Sequence, residues 1–299
     1  MRTVRTVAEL REALAPERHG GRRIGLVPTM GGFHEGHLSL MRRAREDCDV
    51  VVVSLFVNPA QFGAGEDLDS YPRDDVRDGA LAEGEGVDLL FAPPVAEVYP
   101  DGFHSVVRVR GLTDILCGDP RQRGAKHFDG VTTVVSKLFN MVGPEVAYFG
   151  QKDAQQALVI RRMVRDLDIP VQVEVCPTVR EPDGLAMSSR NAYLSESERR
   201  RATALSRALA AADRAVRSGE RRPVAVLEVA RLELSAADVE PEYLELRSIP
   251  DLSPVEQVNG STLLAVAAGI GPARLIDNTI LGAEPGAVYP AEPRRGDNG

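Results

Sequence analysis

The sequence predicts an α/β protein with a doubly wound parallel sheet, followed by a second, smaller α+β domain. Through the first two thirds of the 299 residues, short β-branched runs alternate with longer amphipathic segments, the pattern of a parallel sheet covered by helices. After Pro177 the order changes, because two long helical segments come before three short strands. Hydrophobic residues make up 43% and charged residues 27% of the chain, the usage of an ordinary globular protein.

The first part of the chain is predicted to hold five strands with helices between them. The strands are β-branched runs predicted at residues 23–27, 50–57, 87–91, 146–149 and 171–175. The helices have apolar residues at helical spacing and are predicted at residues 36–45, 73–82, 131–141 and 153–167. Strands that alternate with helices in this way form a parallel sheet with helices on its faces.

The second part is predicted to be a smaller α+β unit that begins near Thr178. Two helices are expected at residues 195–217 and 223–234, and three strands at residues 243–247, 262–267 and 273–278. Turn sequences at residues 259–260 and 269–272 join the strands. We therefore expect domains at residues 1–178 and 179–283, with the second as a lid. Residues 284–299, rich in proline, glycine and charge, are expected to be a disordered tail.

Composition excludes several classes of protein. No stretch approaches the roughly 20 apolar residues that a membrane helix needs, and the N-terminus lacks the apolar core of a signal peptide. Cys48, Cys117 and Cys176 are scattered without a C-x-x-C pair, which argues against a disulfide framework or a thiolate zinc site. A net charge of −8 argues against nucleic acid or an anionic membrane as a partner. We expect a cytoplasmic protein in which any anionic ligand meets a local cluster of positive groups.

Residues 28–37, PTMGGFHEGH, follow the first predicted strand and open the first predicted helix. Glycines at such a turn let backbone N–H groups approach an anion, and the helix N-terminus adds its positive dipole end. His34 and His37 are three residues apart and so face the same way on the helix. The pattern predicts a phosphate site, although a plain strand-to-helix turn with surface histidines is the alternative. Zinc is disfavoured, because H-E-x-x-H needs a spacing of four.

Residues 54–62, SLFVNPAQF, lead from the next strand into a polar loop. Ligands of open α/β sheets bind outside the carboxyl ends of the strands, so Asn58 and Gln61 should border the same crevice. Their amides suit a hydroxyl or carboxylate ligand without adding charge. An ordinary Asn-Pro turn is the alternative. In the following stretch, residues 71–75, YPRDD, the acidic residues are expected to cap a helix rather than to hold a metal ion.

Residues 148–156, YFGQKDAQQ, repeat the order of strand, glycine and helix. Lys152 places an ammonium where it opposes the helix dipole, which suggests an anionic partner. Asp153 and Gln156 have the spacing of a capping box, so a purely structural role competes for those two residues.

Residues 179–194, VREPDGLAMSSRNAYL, form a loop at the expected domain junction. Ser188, Ser189 and Arg190 offer two hydroxyls and a guanidinium, groups that bind phosphate oxygens. Ser195 and Glu198, just beyond, are a capping box for the next helix and need no further function.

Six stretches, in this order and spacing, resemble the pantothenate synthetase (pantoate–β-alanine ligase) family: PTMGGFHEGH, FVNPAQF, YPRD, HFDGV at residues 127–131, FGQKDAQQ and DGLAMSSRNAYL. The resemblance covers roughly residues 1–281. It implies a Rossmann-like, cytidylyltransferase-like nucleotide-binding fold and an AMP-forming ligase of the coenzyme A pathway. In that reaction pantoate and ATP give pantoyl adenylate and pyrophosphate, and β-alanine then attacks the acyl carbon and releases AMP.

The resemblance also implies roles for individual residues. The expected catalytic residues are His34, His37, Lys152, Ser188 and Arg190, with His37 as proton donor. The expected ATP-binding residues are Met30, Gly31, Gly32, Phe33, His34, Glu35, Gly36, His37, Gly150, Gln151, Lys152, Asp153, Val179, Met187, Ser188, Ser189 and Arg190. Gln61 and Gln156 are expected to bind pantoate, and Gln61 also lies beside β-alanine.

The resemblance further implies Mg²⁺ as cofactor and a homodimer. We expect phosphate oxygens and water to hold Mg²⁺ without a dedicated protein site, with Asp78 as a candidate partner in its outer sphere. Adenylation places negative charge on a pentavalent phosphorus, so preplaced cations and N–H donors are the groups that stabilise it.

Three departures from the family pattern lie near the expected substrates. Ala60 and Ala154 stand where larger residues are common, and residues 123–127 read RGAKH where RPGH is usual. These departures leave open a different hydroxy acid or amine as substrate. A nucleotidyltransferase without an amine site is a second alternative, which Gln61 and Gln156 argue against. A catalytically inactive nucleotide-binding protein is a third alternative. Such a protein would be expected to have lost at least one of four groups that are all present here: His34, His37, Lys152 and Arg190.

Overall fold

The computed structural model describes residues 1–63, 66, 68–69, 71–284 and 288. Its larger sheet has six parallel strands in the order β1-β4-β3-β2-β5-β6, and its smaller sheet has three antiparallel strands in the order β7-β8-β9. The larger sheet is formed by β1 (Arg2–Val4), β2 (Ile24–Thr29), β3 (Val50–Leu55), β4 (Leu89–Phe91), β5 (Val146–Gly150) and β6 (Gln172–Cys176). The smaller is formed by β7 (Tyr243–Ser248), β8 (Thr262–Ile270) and β9 (Ala273–Ile280). The predicted fold class is confirmed.

Helices cover both faces of the parallel sheet and one face of the smaller sheet. The first six are α1 (Val7–His19), α2 (Glu35–Asp47), α3 (Asp75–Gly84), α4 (Val95–Val98), α5 (Ala125–Val142) and α6 (Ala154–Asp166). They are followed by α7 (Glu196–Arg217) and α8 (Pro223–Ser235). Among the described residues, none of these helices is long and apolar enough to cross a membrane.

The two faces of β2 show how the alternation of the sequence builds two cores. Ile24 and Leu26 pack in one cluster with α1, α5 and α6, whereas Val27 packs in another with Met41 and Ala44 of α2. The period of two along a strand sends successive side chains to opposite faces.

The smaller sheet also has two packed faces. Alternate residues of β8, such as Leu264 and Val266, pack with α7 and α8, while Leu263 and Ala265 join the core of the parallel sheet. The expected domain boundary at Thr178 stays a prediction.

The order in which strands are added to the parallel sheet reverses at β2, which lies between β3 and β5. β3 and β4 follow on one side of β2, and β5 and β6 on the other. In open parallel sheets the crevice outside the carboxyl ends of the strands at such a switch point is where ligands bind. The turns after β2 and β5 therefore face the expected ligand site.

Several elements differ from the sequence prediction. The sequence does not predict β1 and α1, since β1 is only three residues long and pairs at the sheet edge with β4. Helix α5 begins at Ala125 rather than at residue 131, with Gly130 inside it. A Cβ at Gly130 would overlap the carbonyl group of Ala60, so glycine here allows a close backbone contact instead of ending the helix. Of the predicted tail, residues 285–287 and 289–299 lie outside the described residues.

Candidate active site

One cavity of about 240 Å³ brings the four motif segments together at the switch point. It lies against the turns that follow β2 and β5 and beneath the loop of residues 187–190. The predicted site residues that line it are Met30, His34, Gly36, His37, Gln61, Gly150, Lys152, Asp153, Gln156, Val179, Met187, Ser188, Ser189 and Arg190.

The glycine turn after β2 is held by a buried carboxylate from α3. Gly31 and Gly32 have φ angles of +93° and +65°, which side chains other than glycine rarely adopt. Asp78, 1% exposed, accepts hydrogen bonds from the N–H groups of Gly32 at 2.7 Å and Phe33 at 2.8 Å. Both carboxylate oxygens of Asp78 are thus engaged in holding the turn. An outer-sphere role toward Mg²⁺ stays a prediction.

His34 and His37 lie side by side at the start of α2, with ring centroids 4.1 Å apart. The Nδ1 of His34 accepts the N–H of Gly36 at 3.2 Å, and the Nδ1 of His37 accepts the N–H of His34 at 3.4 Å. In a neutral imidazole whose Nδ1 accepts, the proton is on Nε2. Each ring is therefore oriented by a main-chain N–H group at the start of α2, and it keeps an Nε2–H that can donate to a ligand.

Both rings are neutral at physiological pH. Burial, followed by the charge of Lys152, lowers the pKa of His34 to about 4. Burial, followed by His34 and Lys152, lowers the pKa of His37 to about 3. The histidines consequently enter the site as N–H donors rather than as cations, and they become cationic only when an anion raises their pKa.

Lys152 lies in the 3-10 turn Gln151–Asp153 between β5 and α6, as the sequence predicts. Its Nζ is 3.4 Å from the carboxylate of Asp153. Although burial opposes this, the charge and hydrogen bond of Lys152 lower the pKa of Asp153. Within the described residues Asp153 makes no side-chain cap on α6, so the capping-box alternative is wrong for this pair. Ser195 and Glu198 do form the predicted capping box on α7.

The loop of residues 187–190 directly follows a short hairpin. Arg180 and Ala186 pair across it, and Met187 donates its N–H to the carbonyl of Val179 at 3.0 Å. A Cβ at Gly32 would lie 3.5 Å from that of Ser189, which places the loop directly on the glycine turn.

Ser188 and Arg190 present polar groups from this loop. Ser188 Oγ accepts the N–H of Arg190 at 3.3 Å, which leaves its hydroxyl proton to donate. The Arg190 guanidinium lies 5.8 Å from the centre of the Tyr71 ring.

Gln61 is fixed on the opposite wall by Asn58. The amide of Asn58, a residue 1% exposed, donates to Gln61 Oε1 at 3.0 Å, and Gln61 Nε2 lies 3.0 Å from the sulfur of Met30. Gln156, on the first turn of α6, lines the same cavity. The two glutamines thus line a space that the groups predicted to bind phosphate also line.

Sequence reasoning did not include Arg123 and His127 among the site residues. Both line the cavity, and they also line a neighbouring cavity of about 780 Å³. His127 Nδ1 lies 2.7 Å from the carbonyl oxygen of Gln61, and its Nε2 lies 3.3 Å from Arg123, which pairs with Glu66. Burial, followed by the charge of Arg123, lowers the pKa of His127 to about 4. The available signal was that His127 opens the motif HFDGV and that residues 123–127 depart from the family pattern.

Five predicted ATP-binding residues take other positions. Gly31, Gly32 and Phe33 form the turn behind the cavity, where Phe33 is 1% exposed. The carboxylate of Glu35 pairs with Arg42 on the outer side of α2. Gln151 is 6% exposed, with its side chain packed beside the cavity. Their predicted roles in ATP binding remain predictions.

The described residues contain no group of three histidine, cysteine, aspartate or glutamate side chains arranged to hold a metal ion.

Known proteins resemble the chain over nearly its whole length. The sequence model of the Pantoate-beta-alanine ligase family matches residues 2–280. The chain belongs to this family. The pantothenate synthetase of Moorella thermoacetica is 52% identical over 94% of this chain and 99% of its own length. That of Pelotomaculum thermopropionicum is 54% identical over 93% of this chain and 98% of its own.

Solved structures of relatives give the same result. A crystal structure of pantothenate synthetase from Thermus thermophilus superposes with a TM-score of 0.89 at 49% identity, covering 94% of this chain and 99% of that one. A pantoate-beta-alanine ligase from Francisella tularensis, complexed with beta-gamma ATP and beta-alanine, superposes with a TM-score of 0.77 at 31% identity, covering 94% and 97%. The chain is accordingly an ATP-dependent ligase that condenses pantoate with β-alanine to give pantothenate, AMP and pyrophosphate.

Proposed function

We propose that both steps of this condensation take place in the one crevice at the switch point. The observation that supports this is the cavity itself, because groups suited to phosphate and two uncharged glutamines border the same space. In the first step a carboxylate oxygen of pantoate attacks the α-phosphorus of ATP and pyrophosphate leaves. In the second step the amine of β-alanine attacks the acyl carbon and AMP leaves.

Electrostatic stabilisation is the main task of the protein in the first step. The pentavalent phosphorus carries more negative charge than ATP does, so donors already in place lower the barrier. The Nε2–H groups of His34 and His37 and the charges of Lys152 and Arg190 are these donors, with the Ser188 hydroxyl beside them. Because His37 is neutral before ATP binds, we propose that its Nε2–H acts first as a hydrogen-bond donor. ATP phosphates are the charge that would make it a proton donor.

Gln61 and Gln156 hold pantoate in this proposal. An amide can donate to a carboxylate and accept from a hydroxyl without attracting the phosphates. Asn58 fixes the orientation of the Gln61 amide by donating to its Oε1, so Nε2 is the donor that remains for substrate. Gln61 is then beside the acyl carbon when β-alanine arrives.

Magnesium fits this site as part of the nucleotide. We propose that phosphate oxygens and water hold Mg²⁺, with Asp78 as the candidate partner in its outer sphere. When bound, the ion neutralises charge on the phosphates.

The proposed order is tested by product formation with and without the amine. We expect single-turnover pantoyl adenylate and pyrophosphate from ATP and pantoate alone, and AMP release only after β-alanine is added. Steady AMP formation without β-alanine would indicate a hydrolase, in which water takes the place of the amine, and steady release of pyrophosphate without AMP would favour a nucleotidyltransferase. Replacement of pantoate or β-alanine by other hydroxy acids or amines tests whether Ala60 and Ala154 alter specificity.

We also propose that residues 179–283 act as a lid that moves about Thr178, and that its closed position is the one in which Asn278 of β9 bonds to the turn of Lys152. The loop of residues 187–190 lies on the glycine turn, so ATP entry requires the two to separate. Exclusion of water protects an adenylate from hydrolysis. Hydrogen exchange over residues 179–194 should slow when ATP and pantoate are bound. Unchanged exchange at saturating ligand would contradict the lid.

We also propose an oligomeric state and a cellular location. Family membership supports a cytoplasmic homodimer. Sedimentation equilibrium tests the dimer, and a molecular mass of one 32.3 kDa chain across the concentration range would contradict it.

A further inference from the structure

Two consecutive polar residues are buried in the second half of β9. Asp277 is 3% exposed and Asn278 is 4% exposed. A buried amide or carboxylate costs free energy unless its hydrogen-bonding groups are paired. Both residues line the larger cavity, as do Lys152 and Arg190, and neither lines the smaller one. Their partners indicate what they do.

Asn278 bonds to the main chain that carries Lys152. Its Nδ2 donates to the carbonyl oxygen of Gln151 at 2.9 Å and to that of Lys152 at 2.9 Å. Two carbonyl acceptors require an NH₂ group, so the orientation of the amide is determined by its partners. These carbonyls belong to the 3-10 turn between β5 and α6, and the two bonds tie that turn to the smaller sheet.

Asp277 connects the same strand to the hairpin that precedes the loop of residues 187–190. Its carboxylate receives Arg180 in a bidentate pair, with distances of 2.6 and 3.1 Å. Arg180 stands in the hairpin that leads to residues 187–190. β9 is therefore a common support for the turn of Lys152 and the loop of Arg190.

We propose that Asn278 is a positioning residue for Lys152. Without these two bonds, the turn Gln151–Asp153 is still connected to β5 and α6 but is no longer bonded to β9. The Lys152 ammonium is then no longer held in one position relative to the phosphates. Asn278 touches no substrate in this proposal. The inference rests on the proposed role of Lys152 in adenylation.

The expected effect is a loss of rate with little loss of pantoate binding. A displacement of about 1 Å caused away from the reacting atoms can lower a rate about 10²-fold. We expect Asn278→Ala to slow single-turnover pantoyl adenylate formation about 10- to 100-fold. The pantoate dissociation constant should change less than about twofold, because Gln61 and Gln156 are untouched.

A double-mutant cycle separates positioning from a general structural role. Lys152→Ala, Asn278→Ala and the double variant are compared by quench-flow with saturating ATP and pantoate. If Asn278 acts through Lys152, the second substitution adds little once Lys152 is gone. If the losses multiply, Asn278 does not act through Lys152 and the proposal is overturned. If Lys152→Ala alone adenylates at the wild-type rate, the role of Lys152 itself is wrong.

Two further variants keep the test decisive. Asn140→Ala removes a similar bond, from Nδ2 to the carbonyl of Ser136 at 2.8 Å near the end of α5, and should leave adenylation unchanged. A loss there equal to that of Asn278→Ala would overturn the proposal. Should Asn278→Ala fail to fold, Asn278→Ser, which can donate to one carbonyl, takes its place in the cycle. A loss that persists undiminished in the Lys152→Ala background would again overturn it.

Discussion

The buried carboxylate of Asp78, which holds the glycine turn, leads to one prediction about both stability and activity. Asp78→Asn keeps the size and shape of the side chain but replaces one acceptor oxygen with an NH₂ group. That group must face the N–H of either Gly32 or Phe33, since both oxygens of Asp78 now accept. One hydrogen bond to a charged acceptor is lost and one N–H is left facing another donor.

The magnitude follows from those two bonds. A hydrogen bond to a charged group contributes about 1.5–3 kcal/mol, and a buried donor left unpaired costs about 1–3 kcal/mol. These figures overlap in part, so we expect Asp78→Asn to lower the free energy of unfolding by about 2–4 kcal/mol. The turn carries the start of α2, so adenylation should also slow about 10- to 100-fold.

Asp75→Asn is the matched control. Asp75 and Asp78 both lie in the first turn of α3, and each has an arginine within 4 Å: Arg5 at 3.9 Å and Arg77 at 3.6 Å. Both substitutions remove a negative charge from the same helix N-terminus, which is worth about 0.3–1 kcal/mol at such a position. Asp75 is exposed, so the difference between the variants isolates the bonds to the turn.

Urea unfolding followed by circular dichroism suits this comparison, because the chain has no tryptophan. Adenylation is measured in a single turnover with pantoate and ATP. Equal unfolding midpoints for the two variants would refute the role of Asp78 as the support of the turn. A destabilised Asp78→Asn with wild-type adenylation would show that the turn does not place the phosphate-binding histidines.

The remaining predictions concern substrates and pH. His37→Ala should slow adenylation about 10²–10³-fold with little change in pantoate binding; single-turnover formation at the wild-type rate would contradict its role. Gln61→Ala and Gln156→Ala should each raise the KM for pantoate more than that for ATP, by about 1–3 kcal/mol of binding; equal losses for both substrates would make them structural. The pKa values of His34, His37 and His127 are lowered to about 4, 3 and 4, so the unfolded state binds more protons below pH 6.5. Stability should therefore fall from pH 6.5 toward pH 4, by up to about 1.4 kcal/mol per histidine and pH unit; a flat urea midpoint over this range would contradict the assigned neutral rings.

Local patterns in the sequence were sufficient to locate the walls of the site. Apolar strands, glycine turns and amphipathic helices repeat in an order that only a parallel sheet satisfies, and ligands bind at the carboxyl ends of such strands. That reasoning placed His37, Gln61 and Lys152 in one crevice, and the structure brings them into one cavity. It misjudged Gly130, because a glycine inside a helix gives no local sign of the backbone that packs against it.

The supports of the site could not be found in the same way. Asp78 is predicted from sequence only as an outer-sphere partner of Mg²⁺, and Asn278 is one amide among strand residues, yet each bonds to the backbone of a distant turn. Their partners are 45–46 and 126–127 residues away along the chain, so only the tertiary fold reveals the pairing. The visible signal was the presence of polar residues inside a strand, as at Asp277 and Asn278 on β9. Since a buried polar group is retained at a cost, such a position indicates a bond that some other element of the fold requires.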